Sequence, residues 1–222
     1  VMALFAIGDI HGCLKALQSI FNQDFIKKGD TVIFLGDYID KGPDSSGVLD
    51  WLIEHKTTYN FVFILGNHEI MMKAASSSSK HFIEWLQFGG NETLQSYGID
   101  NKSDWVQNIK TSHWDFIDSC LPFYEVDDYI FVHAGLEKNK ELGKQNKHHL
   151  FWKKFEQPEA FSDGKTVICG HTSRKNGKIA NFGHTICIDT FAYGGMWLTC
   201  LNVRTKDFLQ ANNSGETKFG KL

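Results

Sequence analysis

Five times along the chain a short apolar run ends in a turn that carries Asp, Asn or His, and this repeated grammar limits what the chain can fold into. Phe5-Ala6-Ile7 leads into Gly8-Asp9-Ile10-His11-Gly12, and Thr31-Val32-Ile33-Phe34-Leu35 into Gly36-Asp37-Tyr38-Ile39-Asp40-Lys41-Gly42. Phe61-Val62-Phe63-Ile64-Leu65 leads into Gly66-Asn67-His68-Glu69. Ile130-Phe131-Val132 precedes His133-Ala134-Gly135, and Thr166-Val167-Ile168-Cys169 precedes Gly170-His171-Thr172. A short apolar run bounded by turn residues reads as a buried strand. Open α/β sheets place their sites at the carboxyl ends of strands. Five strands are therefore expected to deliver oxygen and nitrogen donors to one place, with Asp37 joining two metal ions.

The 222 residues suffice for one sizeable α/β core. A single domain over 1–222 is expected, with a helical insertion at about 70–120 broken at Gly89-Gly90. The aromatics of that insertion are assigned mainly to core packing, with a substrate lid as the alternative. Gly194-Gly195 is expected to link the last two strands, 185–189 and 196–203, as a hairpin. The polar tail from Asn212 is expected to fray. A net charge of −3 carries no electrostatic footprint for nucleic acid or a membrane surface. No apolar run approaches the ~18 residues of a membrane span, and the start of the chain lacks a signal-peptide layout. Val1 ahead of Met2 reads as a cloning remnant. The five cysteines contain no CxxC pair and sit in apolar surroundings, which fits reduced thiols and a cytoplasmic location.

Asp9, His11, Asp37, Asn67, His133 and His171 are all oxygen or imidazole donors, and none is a thiolate. Such a set suits Mn²⁺, Fe or Zn²⁺ rather than a structural Cys-rich zinc site. Six donors exceed what one tetrahedral ion with an open position needs. They fit two ions roughly 3.5–4 Å apart that share a carboxylate and lower the pKa of a bridging water for in-line attack on phosphorus. The departing oxygen needs a proton. His68, next to Asn67, is expected to supply it, with Asp40 accepting the other ring N–H and fixing the tautomer. Taken singly, each of these residues is more often a structural histidine or an ordinary turn; the joint pattern carries the reading.

The five motifs together resemble the calcineurin-like metallophosphoesterases, and within them the bacterial and phage-type serine/threonine phosphoprotein phosphatases. Softer matches lie at Gly89-Gly90-Asn91-Glu92-Thr93-Leu94 and Ile188-Asp189-Thr190. The resemblance implies two mixed β-sheets in a sandwich flanked by helices, an α/β (α+β) fold. It implies one metal on Asp9, His11 and Asp37 and a second on Asp37, Asn67, His133 and His171, with Mn²⁺ the usual ion. Two departures stand out. Lys41 occupies a position where the family usually has a phosphate-gripping Arg, and Lys153-Lys154 lie near a second such position. Lysine offers a point charge instead of a bidentate fork, so phosphate held by Lys41, Asn67 and Lys154 is expected to be gripped more weakly. Lys41→Arg should then lower KM; an unchanged KM would detach Lys41 from phosphate. Phe191 stands where the family commonly has Gly.

The resemblance makes a protein serine/threonine phosphatase the leading expectation, with phosphotyrosine as a possible second substrate. A phosphorylated protein or peptide is the expected partner, with neither nucleic acid nor membrane. The alternative is a phosphoanhydride-cleaving relative such as a dinucleoside tetraphosphate hydrolase. That enzyme needs base-stacking aromatics and cationic grip for several phosphates. Arginine is scarce, with only Arg174 and Arg204, and Tyr38 and Glu69 resemble the protein-phosphatase branch. A non-catalytic metal-binding scaffold is a third reading, weakened because no expected ligand is missing.

Overall fold

The computed structural model describes residues 2–222; Val1, read above as a cloning remnant, lies outside them. The strands are β1 (Leu4–Ile7), β2 (Thr31–Phe34), β3 (Asn60–Phe63), β4 (Phe123–Val126), β5 (Tyr129–Val132), β6 (Thr166–Cys169), β7 (Ala180–Asn181), β8 (Thr185–Cys187), β9 (Leu198–Asn202), β10 (Asp207–Ala211) and β11 (Thr217–Lys221). They form two mixed sheets, ordered β11-β10-β9-β1-β2-β3 and β4-β5-β6-β8-β7. β1, β2 and β3 are parallel, as are β5, β6 and β8, so each sheet aims a parallel set of carboxyl ends in one direction.

Side-chain alternation explains why these runs are continuously apolar. Ala6, Ile33, Phe131 and Ile168 face the space between the sheets, where they pack with Ile64, Ile186 and Leu201. Their neighbours Ile7, Val32 and Phe34 point to the opposite face and pack under helices. On the second sheet Ile130, Val132, Val167 and Cys169 do the same against Leu150 and Phe151. A strand covered on both faces has no polar side to expose.

Helices α1 (Leu14–Phe21) and α2 (Ser45–His55) cover the outer face of the first sheet. α1 buries Ala16, Leu17 and Ile20, and α2 buries Val48, Leu49 and Leu52, each set at helical spacing. The Asp44 carboxylate caps α2 by accepting the Gly47 N–H at 2.8 Å. Between β3 and β4 run α3 (Asn67–Ala75), α4 (Ser79–Trp85), α5 (Asn91–Ser96), α6 (Trp105–Asn108) and α7 (Thr111–Ser119). A π-turn at Leu86–Gly90 joins α4 to α5. Trp85 and Trp105, 5.0 Å apart between ring centres, pack inward with Phe82 and Trp114. A short α8 (Lys147–Phe151) follows β5.

Two local expectations are corrected. Gly194-Gly195 does not turn a hairpin: β8 and β9 belong to different sheets, and the two glycines close a 3₁₀ turn between them. The end of the chain does not fray. β10 and β11 pair antiparallel through Asn212–Gly215, where Gly215 adopts φ 93°. Phe219 on β11 packs its ring 5.7 Å from Phe25. The composition there is polar because an edge hairpin needs only one apolar face.

Among the described residues no helix is long and apolar enough to cross a membrane.

Candidate metal centre

All six expected donors lie at or just beyond the ends of strands. Asp9 and His11 follow β1, Asp37 follows β2, and Asn67 and His68 open α3 just beyond β3. His133 follows β5 and His171 follows β6, so both sheets contribute. The turns are tight. His11, Asp37, Asp40, Lys41, His171 and Phe191 all have positive φ, between 45° and 71°. Such conformations are costly for non-glycine residues and concentrate at functional sites. Gly36, at φ 93°, is required by space as well, since a Cβ there would lie 2.6 Å from the Gly66 nitrogen.

Asp37 sits at the centre. Its carboxylate lies 3.4 Å from His11 Nε2 through one oxygen and 3.4 Å from His133 Nε2 through the other. Donor atoms of His11, Asp37 and His68 lie within 4.8 Å of one another, as do those of Asp37, His133 and His171. Asn67 Oδ1 is 2.9 Å from His133 Nε2. Asp9 stands slightly apart, its two oxygens accepting the His171 N–H at 3.2 and 3.1 Å.

The ring hydrogen bonds leave this cluster able to hold a cation. His11 Nδ1 donates to the Ile39 carbonyl at 2.8 Å, and His133 Nδ1 to the Leu35 carbonyl at 2.7 Å. His171 Nε2 donates to the Trp152 carbonyl at 3.0 Å. Each ring therefore turns a lone pair inward. His133 Nε2 and His171 Nδ1 face each other at 3.2 Å with Asn67 Oδ1 beside them. Three potential metal donors thus converge, an arrangement a divalent cation can stabilise. The second nitrogen of each ring is held by a backbone carbonyl, the usual outer support of a metal-binding imidazole.

The electrostatics agree. Burial, with the charges of Asp189 and Asp37 nearby, pushes the Asp9 carboxyl well above the usual range. Burial opposes ionisation of Asp37, yet His133, His68, His11 and His171 around it win and hold its pKa below the usual range. Burial and the neighbouring His68 hold His11 far down; burial and His133 bring His171 to about 3. His11 and His171 are thus held neutral, the state in which imidazole binds metal, whereas Asp9 would give up its proton to a bound ion.

His68 Nδ1 lies 2.7 Å from Asp40 Oδ2, and His68 Nε2 is 3.9 Å from Asp37. Asp40 is fully buried and tightly held. Trp85 Nε1 donates to it at 2.9 Å and the Thr93 hydroxyl at 2.6 Å. Burial raises the Asp40 pKa, and the His68 ring opposes that rise.

The supporting role of three residues escaped the sequence reading. Glu69 accepts four backbone N–H groups, from Asp37, Tyr38, Ile39 and Gly66, at 2.8–3.3 Å. It thus ties the Asp37 loop to the start of α3. Burial and the Asp37 charge push its carboxyl up to about 8, and these donors pull against the rise. Glu69→Gln puts an amide N–H against N–H donors. It is expected to lower stability by about 2–3 kcal/mol, read as a shifted urea midpoint; an unshifted midpoint would deny Glu69 this role. Trp85 and Thr93 are the other two. Glu69 and Thr93 lay in motifs, Gly66–Glu69 and the Gly89–Leu94 match, but without this role; Trp85 lay in none.

Asp9, His11, Asp37, Asn67 and His171 line a cavity of about 460 Å³, with the fully buried His133 outside its lining. Lys41 and Lys154 both reach it, together with Lys175, whereas Lys153 turns away to His149 Nε2 at 3.1 Å. Lys41 Nζ donates to His11 Nε2 at 3.2 Å and lies 4.4 Å from the Tyr193 ring centre. Phe88, Trp152 and Tyr193 complete the aromatic part of the wall. Phe191 packs against Tyr193 behind that wall, 4.7 Å between ring centres. Cys13, close in sequence to His11, is buried and its thiol is pushed up to about 12, so it holds no thiolate at neutral pH.

Comparison with known proteins corrects the expected substrate. A protein of Chromobacterium violaceum is 40% identical over 141 residues, 61% of this chain and 44% of its own. One of Pseudomonas putida is 30% identical over 146 residues, 64% of this chain and 46% of its own. Both are named symmetrical bis(5'-nucleosyl)-tetraphosphatase. The chain spans about half the length of the curated relatives it matches. These relatives overturn the expectation of a protein serine/threonine phosphatase with a phosphorylated protein partner, and favour its alternative. Tyr38 and Glu69 had argued for the phosphatase branch, but both do structural work. The Tyr38 hydroxyl donates to the Ile64 carbonyl at 2.7 Å, and Glu69 holds the Asp37 loop.

A solved cold-active protein-tyrosine phosphatase from Shewanella superposes with TM-score 0.68 at 13% identity, covering 99% of this chain and 80% of its own; this is a likeness of fold. The model of the calcineurin-like phosphoesterases matches residues 2–201. Matched over nearly its whole length and folded as two mixed sheets with strand-end donors, the chain belongs to the calcineurin-like phosphoesterase family.

Proposed function

We propose that the chain hydrolyses a phosphoanhydride bond of dinucleoside tetraphosphates. One observation carries this reading: the cavity around the donor cluster combines three ammonium groups, Lys41, Lys154 and Lys175, with the aromatic rings of Phe88, Trp152 and Tyr193. A polyphosphate needs charge at several points, and a base needs a flat apolar partner. The scarcity of arginine misled because lysines fill the cationic role. The names of the relatives support the same reading.

In this reading Asp9, His11 and Asp37 hold one ion and Asp37, Asn67, His133 and His171 the other. Mn²⁺ is the proposed metal, and Fe or Zn²⁺ also suits the donors. Bound divalent cations supply Lewis acidity that activates water near neutral pH. The three lysines offset charge on phosphates that do not react. The His68 Nε2 proton goes to the departing phosphate oxygen, while Asp40 keeps the ring oriented through Nδ1.

The test uses chelator-stripped protein reloaded with Mn²⁺. The kcat/KM for diadenosine tetraphosphate should exceed that for a phosphoserine peptide by at least tenfold, about 1.4 kcal/mol in the barrier. A preference for the peptide would contradict the proposal.

A further inference from the structure

A second, smaller cavity of about 230 Å³ adjoins the metal cavity. Ile70, Met71 and Ala74 of α3 form one wall, and the fully buried Trp85 of α4 lies at the back. Trp152 closes it and also lines the metal cavity, so its indole stands between the two spaces. Trp152 is 38% exposed, so part of its indole is open to a ligand. Its main chain is fixed, because its carbonyl accepts from His171 Nε2 at 3.0 Å. A group held on Trp152 is thus held at a set distance from His171. The smaller cavity is mostly apolar, and its polar groups are His81 and Glu84.

We infer that this cavity is a nucleobase subsite, occupied by one base of the substrate while its phosphates lie in the neighbouring metal cavity. The inference rests on the tetraphosphatase reading above and adds where a base binds. The chemistry matches in two ways. Indole and aliphatic walls suit both flat faces of a base, as in sequence-tolerant stacking platforms. Glu84 offers a carboxylate that accepts from the exocyclic amine adenine presents on its edge. The position matches as well, since the shared Trp152 is where a chain of phosphates passes from charged to apolar surroundings. Phosphate itself has no reason to enter a space without a cationic wall.

The experiment compares kcat/KM for diadenosine tetraphosphate with kcat/KM for inorganic tripolyphosphate, an anhydride without a base. The ratio of the two is measured in the wild type, in Trp152→Ala, which removes the platform, and in Ala74→Trp, which fills the cavity. Thermal melting of each protein confirms the fold. The ratio is expected to fall roughly 10–100-fold in both variants, the range of one lost base–aromatic stack. Ala74→Trp is decisive because Ala74 does not line the metal cavity. A ratio in Ala74→Trp within twofold of the wild type overturns the subsite and leaves the tetraphosphatase reading standing. A wild type that cleaves tripolyphosphate but not diadenosine tetraphosphate overturns both.

Discussion

Replacing His68 with Asn is expected to lower kcat for diadenosine tetraphosphate by about 10²-fold, while the protein keeps its full complement of metal. The magnitude follows from what leaves. General acid catalysis contributes roughly 10²–10⁴, and the need for it grows with the basicity of the departing oxygen. A nucleotide phosphate, with a second pKa of about 6, is a weak base, whereas a serine alkoxide is a strong one. The same substitution is therefore expected to harm any residual hydrolysis of a phosphoserine peptide more severely. Asp40→Asn should reproduce much of the loss. The amide removes the negative charge that faces the Nδ1–H at 2.7 Å; its one oxygen can serve either His68 and Trp85 or Thr93, so its NH2 end opposes a donor on the other side. Rapid-quench turnover with parallel metal analysis separates the roles. Full turnover in His68→Asn would remove it as the acid, and lost metal would make it a ligand instead.

Asp37→Asn is expected to have the larger effect. Asp37 alone belongs to both donor groups, with His11 on one side and His133 on the other at 3.4 Å. The amide is isosteric and can still accept the His68 N–H, now at 3.1 Å to Oδ1. Folding is thus preserved while the shared negative charge is lost. Altering an outer support of a metal site typically costs about 10–100-fold in affinity or activity; removing the charge of a shared ligand should exceed that and lower kcat/KM by at least about 10³. Metal content, measured after dialysis, should drop with it. A variant that keeps two equivalents of metal would show that Asp37 does not join them.

The strand ends were legible because a parallel sheet converts sequence order into spatial convergence. An apolar run followed by Gly-Asp or Gly-His needs only to be a strand for its donor to reach the common edge. Asp9, His11, Asp37, Asn67, His133 and His171 were found that way, and so was the His68–Asp40 contact, whose members lie 28 residues apart. Residues that hold the donors were not legible. Trp85 reaches Asp40 across 45 positions and Thr93 across 53, and nothing local marks either as a partner. The substrate was misread for a related reason. Tyr38 and Glu69 stand beside the candidate metal ligands, so they look like specificity residues, yet their hydrogen bonds are spent on backbone. The groups suited to a nucleotide, Lys175, Phe88 and Trp152, come from separate loops and meet only in the folded cavity. Phe88 is displayed by a π-turn in which Gly89, at φ 109°, lies so near Lys41 that a Cβ would sit 2.5 Å from the Lys41 nitrogen. The Gly89-Gly90 pair was visible, but its purpose was not.

The central claim is that two ions share Asp37 at the meeting point of the two sheets. Electron paramagnetic resonance of chelator-stripped protein titrated with Mn²⁺ tests it directly. Two ions roughly 3.5–4 Å apart and bridged are expected to give a spin-coupled multiline spectrum that matures at two equivalents per chain and is lost in Asp37→Asn. A spectrum of isolated Mn²⁺ at every stage of the titration, or saturation at one equivalent, would contradict the account.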